Sequence, residues 1–325
     1  MSTLSFRPGE RVGVVGENRS AVLRQLAGDP ELLVLDEPTN LDVERLLAHR
    51  GPLVMATHDR LLLDRVATTV IEADGRMITR YGNGYAGYLA EKWSARKRWE
   101  REYLAWVTAI ERGADDLWAD PVPRPPDPLR FDAGAACGTV LAANGIAVRG
   151  ELDIGELAVA AGSRLLVSGP GGSTLLSVLA GQRRPDTGSI VRSGRIGYLP
   201  RESVARTPQR SLLATFARGR PGTFDEHAER LLALGLFAEE DLQRPVGALS
   251  AGQLRRLDLA RLLVSEVDVL LLDEPTDQLP PTLAEELEVA LENYAGAVVV
   301  VSGDRMFRAR WTGPELTLRP TARVS

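Results

Sequence analysis

Short, unbroken apolar runs recur along the chain, at residues 32–35, 269–272 and 297–301. Runs of this length without polar alternation predict strands buried on both faces, as in a parallel sheet. Helical patterns lie between them, for instance over 255–263 and 283–294. Alternating strand and helix predicts an α/β layer fold. A different pattern occupies 91–112, where charge is dense and Trp99, Tyr103, Trp106 and Ile110 follow a four-three-four spacing. That spacing places one apolar seam on a long helix. The proline-rich run 121–128 ends any helix and reads as a stiff, extended linker.

The pattern also repeats. Residues 11–16 and 164–169 each form an apolar strand running into a glycine turn. Each copy continues with a leucine-rich segment ending in Leu-Ala-Gly (26–28 and 179–181) and an apolar run closing on Asp-Glu-Pro-Thr (36–39 and 273–276). Each ends with a further strand and an Asp-Arg pair, at 59–60 and 304–305. Two related α/β domains are therefore expected, which suits 325 residues at ~100–200 residues per domain.

Composition narrows the function classes. No run approaches the ~18 apolar residues of a membrane helix, and the first residues lack a signal peptide's apolar core, so a cytoplasmic chain without membrane insertion is expected. A net charge of −5 argues against a protein that coats nucleic acid by bulk charge, although Lys92, Arg96, Lys97, Arg98 and Arg101 form a local basic cluster. The single cysteine, Cys137, excludes an internal disulfide framework and has no local His or Lys to activate it. His49 and His227 stand in polar contexts and read as surface residues. Of 39 basic residues only Lys92 and Lys97 are lysines, so no phosphate-binding loop in this chain contains one.

That last point bears on the candidate chemistry. A strand, a glycine turn and a helix N-terminus make a phosphate cradle, because backbone N–H groups and the positive helix end face the anion. The second copy offers Gly169, Gly171, Gly172, Ser173 and Thr174 in a shortened loop; the first offers Gly16, Asn18, Arg19 and Ser20, more eroded still. The paired Asp-Glu segments are the stronger signal. An aspartate ending a buried strand can hold a magnesium shell, and the following glutamate can polarise an attacking water. Asp36 with Glu37 and Asp273 with Glu274 are the candidates.

The segment Leu249-Ser250-Ala251-Gly252-Gln253-Leu254-Arg255-Arg256 completes the set. With it the chain resembles the ATP-binding cassette family, where this signature reaches the γ-phosphate of ATP held by the opposite cassette. The resemblance implies ATP and Mg2+ as cofactors. It makes Asp36 and Asp273, with Ser173, the metal ligands, and Glu37 and Glu274 catalytic. His58 takes the place of the switch histidine, Asn40-Leu41-Asp42 that of the D-loop and Tyr198-Leu199-Pro200-Arg201 that of the Q-loop. Ser250, Gly252 and Gln253 then contact nucleotide in trans. Two cassettes in one chain, joined by a charged helix and entered through residues 64–89, are similar to the ABC-F branch, whose members bind the ribosome and in part confer antibiotic resistance. The fold implied is two P-loop-type cassettes, a truncated first one at 1–85 and a second at 138–318, with a helical and proline-rich linker at 86–130. They would pair within a monomer whose partner is the ribosome, through rRNA and tRNA. The competing readings are a decayed cassette pair that binds without catalysis and the ATPase subunit of a membrane transporter.

The chain departs from the family pattern unequally. Gly16 and Asp36 are 20 residues apart, whereas Gly169 and Asp273 are 104 apart, so the first copy has no room for its own signature. Gly303 replaces the switch histidine in the second copy and Arg201 the Q-loop glutamine. ATP hydrolysis is therefore expected to be weak or lost, with any remainder at the site built on Asp36, Glu37 and His58.

Overall fold

The computed structural model describes residues 5–16, 19–26, 32–38, 43–74, 77–113 and 121–320. The chain forms two compact units, one from Met1–Pro126 with Pro280–Leu283 and one from Asp127–Leu279 with Ala284–Ser325.

The first unit is built on β1 (Arg11–Val15), α1 (Arg19–Leu26), β2 (Leu33–Asp36), α2 (Val43–Ala48), β3 (Leu53–Ala56), α3 (Arg60–Val66), β4 (Thr69–Asp74) and β5 (Met77–Tyr81). Its sheet runs β2-β3-β1-β4-β5, parallel except for the antiparallel β4–β5 pair. Val12, Val14, Val54, Ala56 and Ile71 are fully buried and pack with Val22 and Leu23 of α1. The expected run at 32–35 does form a strand, but an edge strand only partly buried.

The second unit contains β6 (Thr139–Val148), β7 (Leu152–Ala160), β8 (Arg164–Ser168), α5 (Gly172–Leu179), β9 (Thr187–Arg192) and β10 (Ile196–Leu199). After these come α6 (Leu212–Ala217), α7 (Phe224–Ala233), α8 (Ala251–Leu263), β11 (Val269–Asp273), α9 (Pro281–Glu292), β12 (Ala297–Val301), α10 (Arg305–Arg310) and β13 (Glu315–Thr317). The parallel sheet β10-β11-β12-β8-β13 is accompanied by an antiparallel sheet, β7-β6-β9. Here β11, the counterpart of β2, is buried throughout, because β10 pairs along its outer edge in register Ile196↔Val269.

The charged helix, α4 (Gly84–Glu111), is 28 residues long and begins earlier than its charge density suggested. Its first two turns are anchored instead: Tyr85 and Tyr88 are buried. Glu72 of β4 accepts hydrogen bonds from the Tyr81 hydroxyl (2.9 Å), the Tyr88 hydroxyl (3.0 Å) and Lys92 Nζ (2.9 Å). Along the rest of the helix Trp99, Tyr103, Trp106 and Ile110 are half-buried, as the seam requires. Trp99 Nε1 donates to the Pro123 carbonyl (2.8 Å), so the proline-rich segment runs along the helix. No described helix is long and apolar enough to cross a membrane.

One expectation is overturned. His227 is 6% exposed and lies edge-on to Phe216, with ring centroids 6.3 Å apart. Its sequence neighbours are polar, but helical spacing sets it one turn from the buried Leu231 on the inner face of α7.

Candidate nucleotide site

In the second unit β8 runs into a turn that only glycine can make. Gly169 and Gly171 both have φ +88°, and a Cβ would stand 2.4 Å from the Leu318 carbonyl oxygen at the first and 2.4 Å from that of Glu151 at the second. The turn delivers Gly172, Ser173 and Thr174 as the first turn of α5, whose apolar face is packed in the core.

Asp273, at the end of β11, is 1% exposed, and its Oδ1 has no hydrogen-bond partner. Burial pushes this carboxyl above the usual range, and a hydrogen bond from Ser173 pulls the other way. A buried carboxylate oxygen without a donor asks for a cation, and the adjacent serine hydroxyl is a second hard oxygen ligand. These residues fit a magnesium ion. Glu274 follows with φ +49°, its N–H donating to the Val301 carbonyl (2.8 Å). Both of its carboxylate oxygens accept from the Gly303 N–H, at 3.0 and 2.8 Å. Burial raises this carboxyl too, against that N–H.

The signature segment caps α8. Ser250 Oγ accepts from the Gln253 N–H (3.2 Å) while Gln253 Oε1 accepts from the Ser250 N–H (3.0 Å), which closes a capping box and leaves Gly252 in the first turn. The second turn of that helix carries a residue whose role the sequence did not disclose. Arg255, 2% exposed, donates through Nη2 to the carbonyls of Asp273 and Glu274 (both 2.6 Å) and through Nη1 to the Pro200 carbonyl. It thus ties the signature helix to the metal-site strand end and to the segment before Arg201. The available signal was an arginine sharing the spacing of Leu259 and Leu262, a face otherwise apolar.

The first unit repeats this geometry with different occupants. Gly16 has φ +100°, and a Cβ there would lie 2.4 Å from the Ala73 carbonyl oxygen. Glu37 has φ +43°, its N–H donates to Ala56 (2.8 Å), and its Oε2 accepts from the His58 N–H (3.2 Å). Glu37 and Glu274 are therefore held in the same strained backbone and gripped by the residue two past the neighbouring strand's last carbonyl. Arg19 opens α1 and turns inward: Nη2 meets Glu37 Oε1 (3.2 Å) and His58 Nε2, and Nη1 reaches the Gly16 carbonyl (3.4 Å). Asp36 is exposed, unlike Asp273, and so is Ser20. Asn18 and the segment 40–42 lie outside the described residues.

Comparison with known proteins bears on the family and the fold. The ABC transporter family profile matches residues 152–277. The tylosin resistance ATP-binding protein TlrC of Streptomyces fradiae is 41% identical over 366 residues, spanning 93% of this chain and 67% of TlrC. The energy-dependent translational throttle protein EttA of Mycobacterium tuberculosis is 28% identical over 342 residues, spanning 91% of this chain and 61% of EttA. Among solved structures, the archaeal ribosome recycling factor aABCE1, crystallised with ribosomal stalk protein aP1, superposes with a TM-score of 0.54 at 16% identity, covering 94% of this chain and 82% of that one. That likeness speaks for the fold. The chain belongs to the ATP-binding cassette family, in its ABC-F branch. It spans about two thirds of TlrC and somewhat less of EttA.

Proposed function

We propose that this chain is an ATP-binding protein acting at the ribosome, as a translation factor or in ribosome-protecting antibiotic resistance, and that its ATP hydrolysis is weak or lost. The observation that carries the ribosomal part is the relationship to TlrC and EttA over 93% and 91% of this chain.

The two carboxylate sites support the reading of weak or lost hydrolysis. In the second unit the glycine turn and the first turn of α5 would bind the phosphates, and Asp273 with Ser173 would hold magnesium. A bound magnesium ion supplies charge neutralisation on the phosphate oxygens. Glu274 is positioned to orient water, but Gly303 offers only its backbone N–H where His58 stands in the first unit. In the first unit Glu37 and His58 are both present, yet the Arg19 guanidinium binds them to each other and competes for the proton-accepting oxygen. Arg19 also brings positive charge where a lysine is missing, although its planar fork is no simple substitute for a compact ammonium. Ser250, Gly252 and Gln253 remain the candidates for contact with nucleotide in trans.

Steady-state ATP turnover with and without ribosomes tests the reading. The expected rate is far below that of an intact cassette pair. Any residue of turnover is removed by Glu37→Gln and survives Glu274→Gln. Brisk turnover that falls equally in both variants would overturn the asymmetry between the sites.

A further inference from the structure

We propose that Glu151 and Arg183 form a displaceable latch on the second unit's nucleotide site, with Arg183 the cation that meets the polyphosphate once Glu151 releases it. This rests on the reading that the second unit holds a nucleoside triphosphate. The missing lysine is its starting point, since the glycine turn itself carries no positive side chain.

Three contacts define the latch. Thr174 Oγ1 donates to Glu151 Oε2 (2.7 Å), Arg183 Nη1 donates to the same oxygen (2.7 Å), and Arg183 Nη2 donates to Oε1 (2.7 Å). Thr174 is the third residue of α5, so the carboxylate of Glu151 is bound by a side chain of that helix's first turn. The position of Glu151 is fixed by backbone, because its carbonyl oxygen packs against Gly171 with no room for a Cβ. A second, independent observation marks the same turn as a ligand site. Ser173, next to Thr174, is bonded to Asp273, whose buried Oδ1 lacks any partner.

A carboxylate bound by a hydroxyl and a bidentate guanidinium is a stand-in for a phosphate, two of whose tetrahedral oxygens can accept from the same planar fork. The two anions compete for Thr174 and Arg183, and repel each other if both are present. The pair is also weakly held. The side chains of Arg183 and Glu151 are 42% and 44% exposed, and ion pairs so open to water contribute little. A multiply charged nucleotide with magnesium therefore displaces the carboxylate at modest cost and inherits Arg183.

Equilibrium binding of a fluorescent ATP analogue, with Mg2+, to the full chain tests this. The variants are Glu151→Gln, Arg183→Gln, their combination, and Asp273→Asn, each checked for fold by thermal melting. Glu151→Gln is expected to bind at least tenfold tighter than the parent, and the double variant to return to parental affinity or below. If Glu151→Gln binds no tighter while Asp273→Asn still weakens binding, the second unit holds nucleotide and the latch is wrong. Should the double variant stay as tight as Glu151→Gln, Arg183 is not the cation. Absence of binding in the parent and in every variant would remove the nucleotide reading of this unit, and the latch with it.

Discussion

Arg255 shows how a single side chain can hold a site together without touching a ligand. Its burial depresses its pKa, yet its donors reach three carbonyls on two segments, so the desolvated charge is compensated by hydrogen bonds rather than by one counter-ion. Replacing it by methionine keeps the volume and strands the carbonyls of Asp273 and Glu274. The expected loss is about 1.5–3 kcal/mol of stability, the range for hydrogen bonds to charged groups. Chemical denaturation checks this, and an unchanged midpoint would mean that the carbonyls find water instead. At this scale much of the candidate site was legible in sequence. The Asp-Glu pairs, the glycine turns and the signature serine are all local strings whose chemistry is written in their spacing. Arg255, Glu151 and Arg19 were not legible as partners, because their contacts join residues 18 to 55, 23 to 32 and 18 to 39 positions apart, respectively. His227 failed for another reason: polar neighbours on a helix say nothing about which face the residue is on.

At the scale of elements, the unequal burial of β2 and β11 follows from what flanks them. Both strands run into Asp-Glu, and among the described residues only β11 has an outer neighbour, β10. That neighbour comes from the stretch between turn and Asp-Glu that is long in the second copy and short in the first. The apolar runs therefore predicted both strands correctly but could not assign their depth, since depth depends on a partner strand elsewhere in the chain. The start of β11 carries its own anchor. Asp268 Oδ2 accepts from the Arg195 N–H (2.7 Å) and Oδ1 from the Ala136 N–H (3.1 Å). The Arg195 N–H, the Ala136 N–H and the Arg195 charge hold this carboxyl below the usual range against the effect of burial. A depressed native pKa means stability that is complete above the ordinary carboxylate range and lost as pH falls through the native value. Asp268→Asn is therefore expected to cost about 1–3 kcal/mol at pH 7, one backbone donor being left unpaired. Thermal melts of parent and variant should converge as the pH falls below the ordinary carboxylate range. A gap independent of pH would contradict this account.

At the scale of the whole molecule, the partner reading depends on which cations of α4 remain available. Lys92 is paired with Glu72 (2.9 Å) and Arg96 with Glu100 (3.1 Å), so the basic cluster of the sequence is partly consumed in anchoring the helix. Lys97, Arg98 and Arg101 are exposed and form no ion pair among the described residues. Three clustered cations on a chain of net charge −5 can dock phosphate backbone without coating nucleic acid indiscriminately. Co-sedimentation with ribosomes across a salt series, with Mg-ATP and without nucleotide, tests the proposed function most directly. The expected result is ATP-dependent pelleting of the parent that weakens with salt. The Lys97→Gln, Arg98→Gln, Arg101→Gln variant should bind less, with a log–log salt slope shallower by roughly two, from ~0.7–0.9 per lost phosphate contact. A parent chain that pellets no more with ribosomes than without them, at every salt concentration and with either nucleotide state, would contradict the assignment.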